Sequence, residues 1–197
     1  MNISLILAHP YNLSFNHGLA QTLRDRLMTA GHQVHFHDLC AENFDPRMPP
    51  AELGSDQSQD PLVLQHQADL SQSEGLVVVH PNWWGQPPAV LKGWLDRVLR
   101  NGFAYRIGPL PKGGHGPIGL LPVQTLLVFT TSNTPNEAEK AEWGEPLESI
   151  WTRYVAGFCC IPRVQRMNFS VVVSSPPELR AQWIQEACAT ALAEFPA

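Results

Sequence analysis

Apolar positions along this chain alternate between two rhythms. Ile3 to Ala8 is a short apolar run that stops at His9-Pro10, as a strand buried on both faces would. From Ser14 the rhythm lengthens: Leu19, Leu23 and Leu27 recur at i, i+4, one stripe of a helix, and Gly31 stands where that helix should end. "HQVHFHDL" alternates at period two and predicts a second strand, "PLVLQHQADL" suits a helix, and "GLVVVH" is the most continuous buried strand of the chain. "PPAVLKGWLDRVLR" then predicts a helix with Val90/Leu91, Trp94/Leu95 and Val98/Leu99 facing inward. "TLLVFTT" is a fourth strand, "PLESIWTRYVAGF" a helix, and "VQRMNFSVVV" and "PPELRAQWIQEACATALAEF" close the series with a strand and a helix.

Strands alternating with helices in this way predict an α/β fold. The expected architecture is an open, doubly wound sheet of five parallel strands in order 2-1-3-4-5, helices on both faces, forming one domain over residues 1–197. In such a sheet a ligand sits beyond the carboxyl ends of the strands, at the switch point of their order. Three unusual loops fall there: "HPYNLSFNHG" after the first strand, "HPNWWGQPP" after the third and "TTSNTPNE" after the fourth. The adjacent indoles of Trp83 and Trp84 are hard to bury together, because a strand would point them to opposite faces and a helix would splay them by roughly 100°. Paired in a proline-bounded loop, they suggest a wall of a site for a flat ligand.

Composition narrows the partners. The 197 residues are 44% hydrophobic and 16% charged, with a formal charge of -5 spread without long runs. That leaves no basic stripe for a nucleic-acid backbone and no polybasic membrane patch. No apolar run approaches the roughly 20 residues needed to cross a bilayer, and "ISLILA" lacks a charged leading segment. A cytoplasmic location is expected, with no nucleic-acid partner and no membrane insertion. The four cysteines (Cys40, Cys159, Cys160, Cys188) lack C-x-x-C spacing and are expected to be reduced and mostly buried.

The first rim loop contains neither G-x-G-x-x-G nor a Walker pattern. It can still hold phosphate. "NLSFN" opening a helix offers backbone N–H groups at the positive dipole end, Ser14 and Asn16 as further donors and His9 as a cationic partner, although Asn12 or Ser14 could simply cap the helix. A magnesium-dependent response regulator would need carboxylates at the ends of strands one and three, where this chain has His9 and His80. His35 and His37 share a face of strand two, as two zinc ligands could, but no third ligand has recognisable spacing; an exposed edge-strand face and no metal site are expected. There is no G-x-S-x-G elbow, and no acid is positioned by the sequence to complete a triad with Ser14. Lys92 could be solvated or could lie under the rim.

The segments "LAHPYNLSFNHGLA", "HDLCAENFDP" and "HPNWWGQPPAVLKGWLDRVLRNGFAY" together resemble the flavodoxin-like NAD(P)H:quinone oxidoreductases, the family that contains DT-diaphorase and the bacterial potassium-efflux ancillary reductases. The resemblance runs from Ile3 to about Tyr105, is most specific over Pro81 to Val98, and returns weakly in the last helix. It implies a flavodoxin-like fold, a flavin cofactor, and two-electron reduction of quinones or similar acceptors by NADPH or NADH. It further implies that His9, Ser14, Phe15 and Asn16 hold the flavin phosphate region. Pro81, Asn82, Trp83 and Trp84 would meet the isoalloxazine and line the substrate cleft, and Thr130, Thr131, Ser132, Asn133 and Thr134 would lie by the pyrimidine end of the ring.

This chain departs from the family at two places. Leu13 replaces a Thr of some relatives, and "TTSNTPNEAEKAEWGEPLE" replaces the Gly-rich turn and Tyr/His pair that relay a proton in the DT-diaphorase branch, so no catalytic residue is assigned. FMN is the expected cofactor and FAD the alternative, because this chain omits much of the C-terminal extension of the FAD-binding branch. A homodimer is expected, because relatives complete each flavin site with a second chain and Trp94, Trp143, Trp151 and the Phe103-Ala104-Tyr105 turn are more bulk than one sheet face needs. Trp83 is expected to turn toward the core or the partner, and Trp84 toward the flavin cleft. A flavodoxin-type electron carrier and a flavin-binding regulatory subunit are the alternative readings.

Overall fold

A computed structural model of the chain describes residues 1–55 and 57–196. In chain order the elements are β1 (Asn2–Leu7), α1 (Phe15–Thr29), β2 (Gln33–Asp38), α2 (Pro50–Leu53), α3 (Pro61–Leu70), β3 (Gly75–Pro81), α4 (Ala89–Val98), β4 (Tyr105–Pro109), β5 (His115–Gly119), β6 (Thr125–Ser132), α5 (Asn136–Trp143), α6 (Pro146–Ser149), a π-helical turn (Ile150–Val155), α7 (Ala156–Cys159), β7 (Arg163–Ser170), a 3-10 turn (Val172–Ser174) and α8 (Pro177–Glu194). The main sheet is β2-β1-β3-β6-β7, every pair parallel. Counting only its own members, that is the expected 2-1-3-4-5 order.

The sheet is covered on both sides. Ile3, Leu5, Leu7, Val77, Val79, Leu127 and Phe129 pack against Leu19, Leu23 and Leu27 of α1 and Ala187 and Ala191 of α8. Ile6, Leu76, Val78, Leu126 and Val128 point the other way, onto Val63 of α3, Leu91, Trp94 and Val98 of α4, and Trp151. Continuous apolar runs in β1, β3 and β6 follow from this, since a central parallel strand meets a helix layer on each face. Register levels the strand ends: Leu7 pairs with Val79, and Pro81 with Thr131. The loops after β1, β3 and β6 therefore open onto one rim.

Three local expectations are corrected. The antiparallel pair β4–β5 lies apart from the main sheet, and no strand is predicted there because its Gly- and Pro-rich sequence carries no apolar alternation. The segment after β6 is not a plain turn: it contains α5, whose one buried residue is Glu139, so no apolar stripe announced it. "PLESIWTRYVAGF" does form one helical stretch, but its middle is π-helical and Cys160, at φ 53°, ends it. Of the cysteines, all free, Cys159 and Cys188 are buried, Cys40 is half-buried and Cys160 exposed. The core explanation therefore covers only two of the four. Lys92 is solvated, paired with Asp96 one turn along α4. Among the described residues no helix is long and apolar enough to cross a membrane.

Candidate functional site

A cavity of about 1330 Å³ occupies the rim at the carboxyl ends of the strands, walled by all three loops. The first wall is the start of α1. Ser14 is extended (φ -71°, ψ 158°), and its Oγ accepts the N–H of His17 at 3.2 Å, so it caps the helix. The N–H groups of Phe15 and Asn16, in the first turn, have no carbonyl four residues back within the helix, and both residues line the cavity. Phe15 is fixed edge-on against Phe169 and Trp183. Asn16 is buried, and its Nδ2 donates to Thr131 Oγ1 at 2.9 Å, tying this wall to β6. Burial pushes the His9 pKa below the ordinary imidazole value, which works against the expected cation, and its Nδ1 accepts the N–H of Tyr11 at 3.1 Å.

The second wall is the indole loop. The Asn82 N–H donates to Thr131 O, its Oδ1 accepts from the Gly85 N–H at 2.9 Å, and its Nδ2 donates to Glu139 Oε1 at 3.0 Å. Trp84 (φ 57°) and Gly85 (φ 69°) are both left-handed, the centre of a tight turn closed by reciprocal Trp83–Gln86 backbone bonds of 3.0 and 3.1 Å. Glycine suits its position twice over, because a Cβ on Gly85 would lie 2.8 Å from Pro146 Cγ. Tryptophan does not suit its position: a bulky residue at positive φ costs on the order of 1 kcal/mol or more. The strain presents the Trp84 indole, fully exposed in this chain, at the cavity mouth.

Of the two expected places for Trp83, the core or the partner chain, the core is excluded. Trp83 remains 45% exposed, tilted against the His9 ring at 6.2 Å, because the tight turn keeps both indoles on the cavity side of the strand end. Beneath the loop stands His80, fully buried. Its Nδ1–H donates to Pro81 O at 2.8 Å and its Nε2 accepts the Trp151 indole N–H at 3.0 Å. Burial pushes its pKa down to about 4, so it is a neutral pillar.

The third wall follows β6. Thr131, Ser132, Asn133 and Thr134 line the cavity; Thr130 does not. Successive side chains of a strand face opposite ways, and Thr130 is buried on the far side with its Oγ1 donating to Asn168 Oδ1 at 2.8 Å. Tyr11, Glu139, Trp143, Pro146, Val172, Val173 and Arg180 also line the cavity and were missed in the sequence. Arg180 holds the 3-10 turn through Ser175 and Val172 carbonyls. A Pro-Asn-Glu start and Gly144 at φ 70° were available signals for the helix that brings Glu139 and Trp143; nothing local in the sequence announces Arg180.

Two further clusters differ from expectation. Ser14 does have an acid in reach, supplied by the fold: Ser14 Oγ is 3.0 Å from His17 Nδ1, and His17 Nε2 is 2.8 Å from Asp38 Oδ2. Ser14 Oγ is already used as a cap, which argues against a nucleophile. The His35/His37 face is not exposed. Helix α3 covers it, Asp69 lies 3.2–3.3 Å from both rings, and His37 stacks on His66 with centroids 3.9 Å apart. Glu42 accepts from His37 Nδ1 and His66 Nε2, each at 3.0 Å, while Trp94 Nε1–H donates to His66 Nδ1 at 2.8 Å.

His37, Glu42 and His66 bring ligand-type atoms within 4.8 Å of one another. The Trp94 bond, however, places the His66 hydrogen on Nε2, where a metal would need a lone pair. Burial alone would raise the Glu42 pKa, but its two imidazole N–H partners hold it down to about 2; burial holds His66 below its ordinary value. The two directions conflict for an ion pair and agree for a neutral imidazole donating to a carboxylate, the reading the tautomer supports.

The fold and rim thus define an α/β protein with a cavity at a topological switch point, walled by a helix start, an indole pair and a polar turn. Residues 1–193 match the family described as having the flavodoxin-like fold, and the chain belongs to it. It is 39% identical over 110 residues to an uncharacterized NAD(P)H oxidoreductase of Escherichia coli (strain K12), covering 54% of this chain and 56% of that protein. The chain thus spans little more than half the length of this relative. It is 26% identical over 211 residues to the ribosyldihydronicotinamide dehydrogenase [quinone] of Rattus norvegicus, covering 93% and 89%. Among solved structures it resembles Smu.1420 from Streptococcus mutans UA159 (24% identity, TM-score 0.83, 97% and 98% covered) and an FMN-dependent NADH-azoreductase of Bacillus anthracis in complex with FMN (15%, TM-score 0.70, 97% and 98%). The expected family and fold are both borne out.

Proposed function

We propose that this chain is a flavin-dependent oxidoreductase that uses NADPH or NADH to reduce quinones or similar acceptors by two-electron hydride transfer, with FMN in the rim cavity. The observation that carries the reading is the joining, through the Asn16–Thr131 bond, of a phosphate-type donor set at the start of α1 to a cavity walled by two indoles. The residues fit FMN. Ser14, Asn16 and the first-turn N–H groups of α1 suit its phosphate, Trp83 and Trp84 its flat ring, and Thr131 to Thr134 the hydrogen-bonding edge. The names of the curated relatives and the FMN-bound azoreductase support the same class.

FMN held by these residues would supply the redox chemistry, two-electron transfer between nicotinamide and acceptor. The protein binds, orients and shields. At about 1330 Å³ the cavity exceeds the usual range of about 300–1,000 Å³ for one small ligand, which suits a cofactor and a second molecule together. Glu139, buried at the rim and bound to Asn82, is placed to orient the loop. A homodimer completing each site, and a cytoplasmic location, belong to this reading; sedimentation at micromolar concentration tests the first.

Cofactor released by denaturing the purified protein should have the mass and absorbance of FMN, and NADPH or NADH should bleach the bound flavin rapidly, with a quinone restoring its colour. FAD in the released fraction would reassign the cofactor. Flavin that neither nicotinamide reduces quickly would mark a carrier or a regulatory subunit.

The indoles give a sharper test. Trp84 has no packing to lose in this chain, so Trp84→Ala should leave melting unchanged or slightly raised while weakening flavin or acceptor binding about tenfold, on the order of 1 kcal/mol. Trp83→Ala should cost about 1–2 kcal/mol of stability, less than a core tryptophan would. A Trp84→Ala protein with unchanged binding and a lower melting temperature would show that the turn is placed differently.

A further inference from the structure

The hydrogen bonds behind Ser14 carry a consequence for how an anion is held. His17 Nε2 meets Asp38 Oδ2 at 2.8 Å, and Asp38 Oδ1 already accepts the N–H groups of Cys40 and Ala41, each at 3.1 Å. An ionised carboxylate only accepts, so the hydrogen between them is on His17 Nε2. At its other end, Nδ1 faces Ser14 Oγ at 3.0 Å. With His17 neutral, Nδ1 is a bare lone pair and takes the single hydroxyl hydrogen of Ser14. Ser14 can then offer an incoming anion only lone pairs. For the hydroxyl to donate into the cavity, Nδ1 must carry a hydrogen of its own and donate it to Oγ, which makes His17 an imidazolium clamped by Asp38.

We propose that His17 and Asp38 are positioning residues of the phosphate site, and that a phosphate monoester dianion binds there together with one proton, taken up on His17 Nδ1, which turns the Ser14 hydroxyl toward the ligand. The proposal rests on the reading of the cavity as an FMN site. Buried His17 then brings a positive charge behind the phosphate, and Asp38, 2.8 Å from its Nε2, stabilises that imidazolium once it forms. The other titratable groups facing this pair are His9, edge-on to His17 at 6.2 Å from the β1–α1 loop, and the Cys40 thiol beside Asp38 at the end of β2. Burial lowers the His9 pKa and its Nδ1 accepts from Tyr11, while the thiol is pushed up by burial and by Asp38. His9 also lines the cavity, so the His17→Gln variant is what separates uptake on His17 from uptake on His9.

Calorimetric titration of the apoprotein in buffers of different ionisation enthalpy, near pH 8, reads the proton directly. FMN should bind with uptake approaching one proton, and its affinity should fall by up to tenfold per pH unit from about pH 7 to 8.5, where the phosphate is already dianionic. Riboflavin, with the same ring and no phosphate, should bind with little proton exchange. Asp38→Asn should weaken FMN but not riboflavin and reduce the uptake. His17→Gln, whose amide can donate to Ser14 at every pH, should bind FMN with no uptake and a flat pH profile.

FMN binding with the same proton count as riboflavin would overturn the proposal while leaving the flavin reading intact. If neither flavin binds, the reading fails, and ring-nitrogen NMR of His17 under inorganic phosphate decides the proposal alone: protonation of Nδ1 on addition of phosphate sustains it, and an unchanged ring sinks it.

Discussion

Glu52→Gln should lower the stability of this protein by about 3–5 kcal/mol, with a fall in melting temperature of roughly 10 °C. Glu52 is buried in α2, and its carboxylate is shared by two buried arginines. Arg97 Nη2 donates to Oε1 at 2.8 Å, Arg100 Nη1 to Oε2 at 3.2 Å, and Ser58 Oγ to Oε1 at 2.6 Å. These hydrogen bonds, with Arg97 the leading cause, hold the Glu52 pKa below the ordinary carboxylate value. The amide keeps the volume and removes the charge, leaving two guanidinium groups with Asp60, 3.0 Å from Arg97, as the carboxylate still in contact among the described residues. An uncompensated buried charge is the costly outcome, whereas a pair replaced by apolar groups can be nearly neutral. Arg100→Met in the same background should therefore recover part of the loss. Urea melts of the two variants measure both numbers, and a single-variant cost under 1 kcal/mol would mean that water reaches the cluster.

The second large effect is a loss of stability in mild acid centred on His80. Its pKa in the fold, about 4, lies below the value of about 6.5 for a free imidazole. Between those values the unfolded chain binds a proton that the native chain refuses. Stability is therefore complete above about pH 6.5 and falls as the pH drops toward 4, by about 3 kcal/mol over the window. His80→Gln keeps an acceptor for the Trp151 indole and a donor for Pro81 O without titrating, so it should flatten most of the profile. A residual slope of the same sign is expected from His66 and His9, whose pKa values burial also lowers. Urea melts at pH 7.5 and 4.5 give the difference; profiles that coincide for the two proteins would show that His80 is not the sensor. Because His80 stands under the indole loop, ligand binding should fail in acid alongside stability.

Much of the architecture was legible because it rests on periodicity. The runs Ile3–Ala8, "GLVVV" and "TLLVFTT" must be buried on both faces, and their spacing by helical stripes admits little but a parallel, doubly wound sheet. The cavity's location followed from topology, since Ser14, Asn16, Trp83 and Trp84 sit just past strand ends. What failed was written in sequences with no such rhythm: α5 buries almost nothing, and β4–β5 is punctuated by Gly and Pro.

The sequence by itself determined the alternation of buried strands with helices and the chemical character of the three loops that follow strand ends, because strand burial and loop composition are local properties. Tertiary structure alone decided the rest. Thr130 and Thr131 are chemically alike, and only the direction of the β6 pleat sends one to Asn168 and the other to the cavity. Asp38 is 21 residues from His17, and only the packing of α1 on β2 makes them one hydrogen-bonded pair. The His35/His37 face was read as exposed because a strand's outer face cannot announce the helix that will cover it. Trp83 and Trp84 share the cavity side because two successive left-handed residues reverse the chain there, a conformation no propensity assigns to tryptophan and one that the surrounding contacts impose.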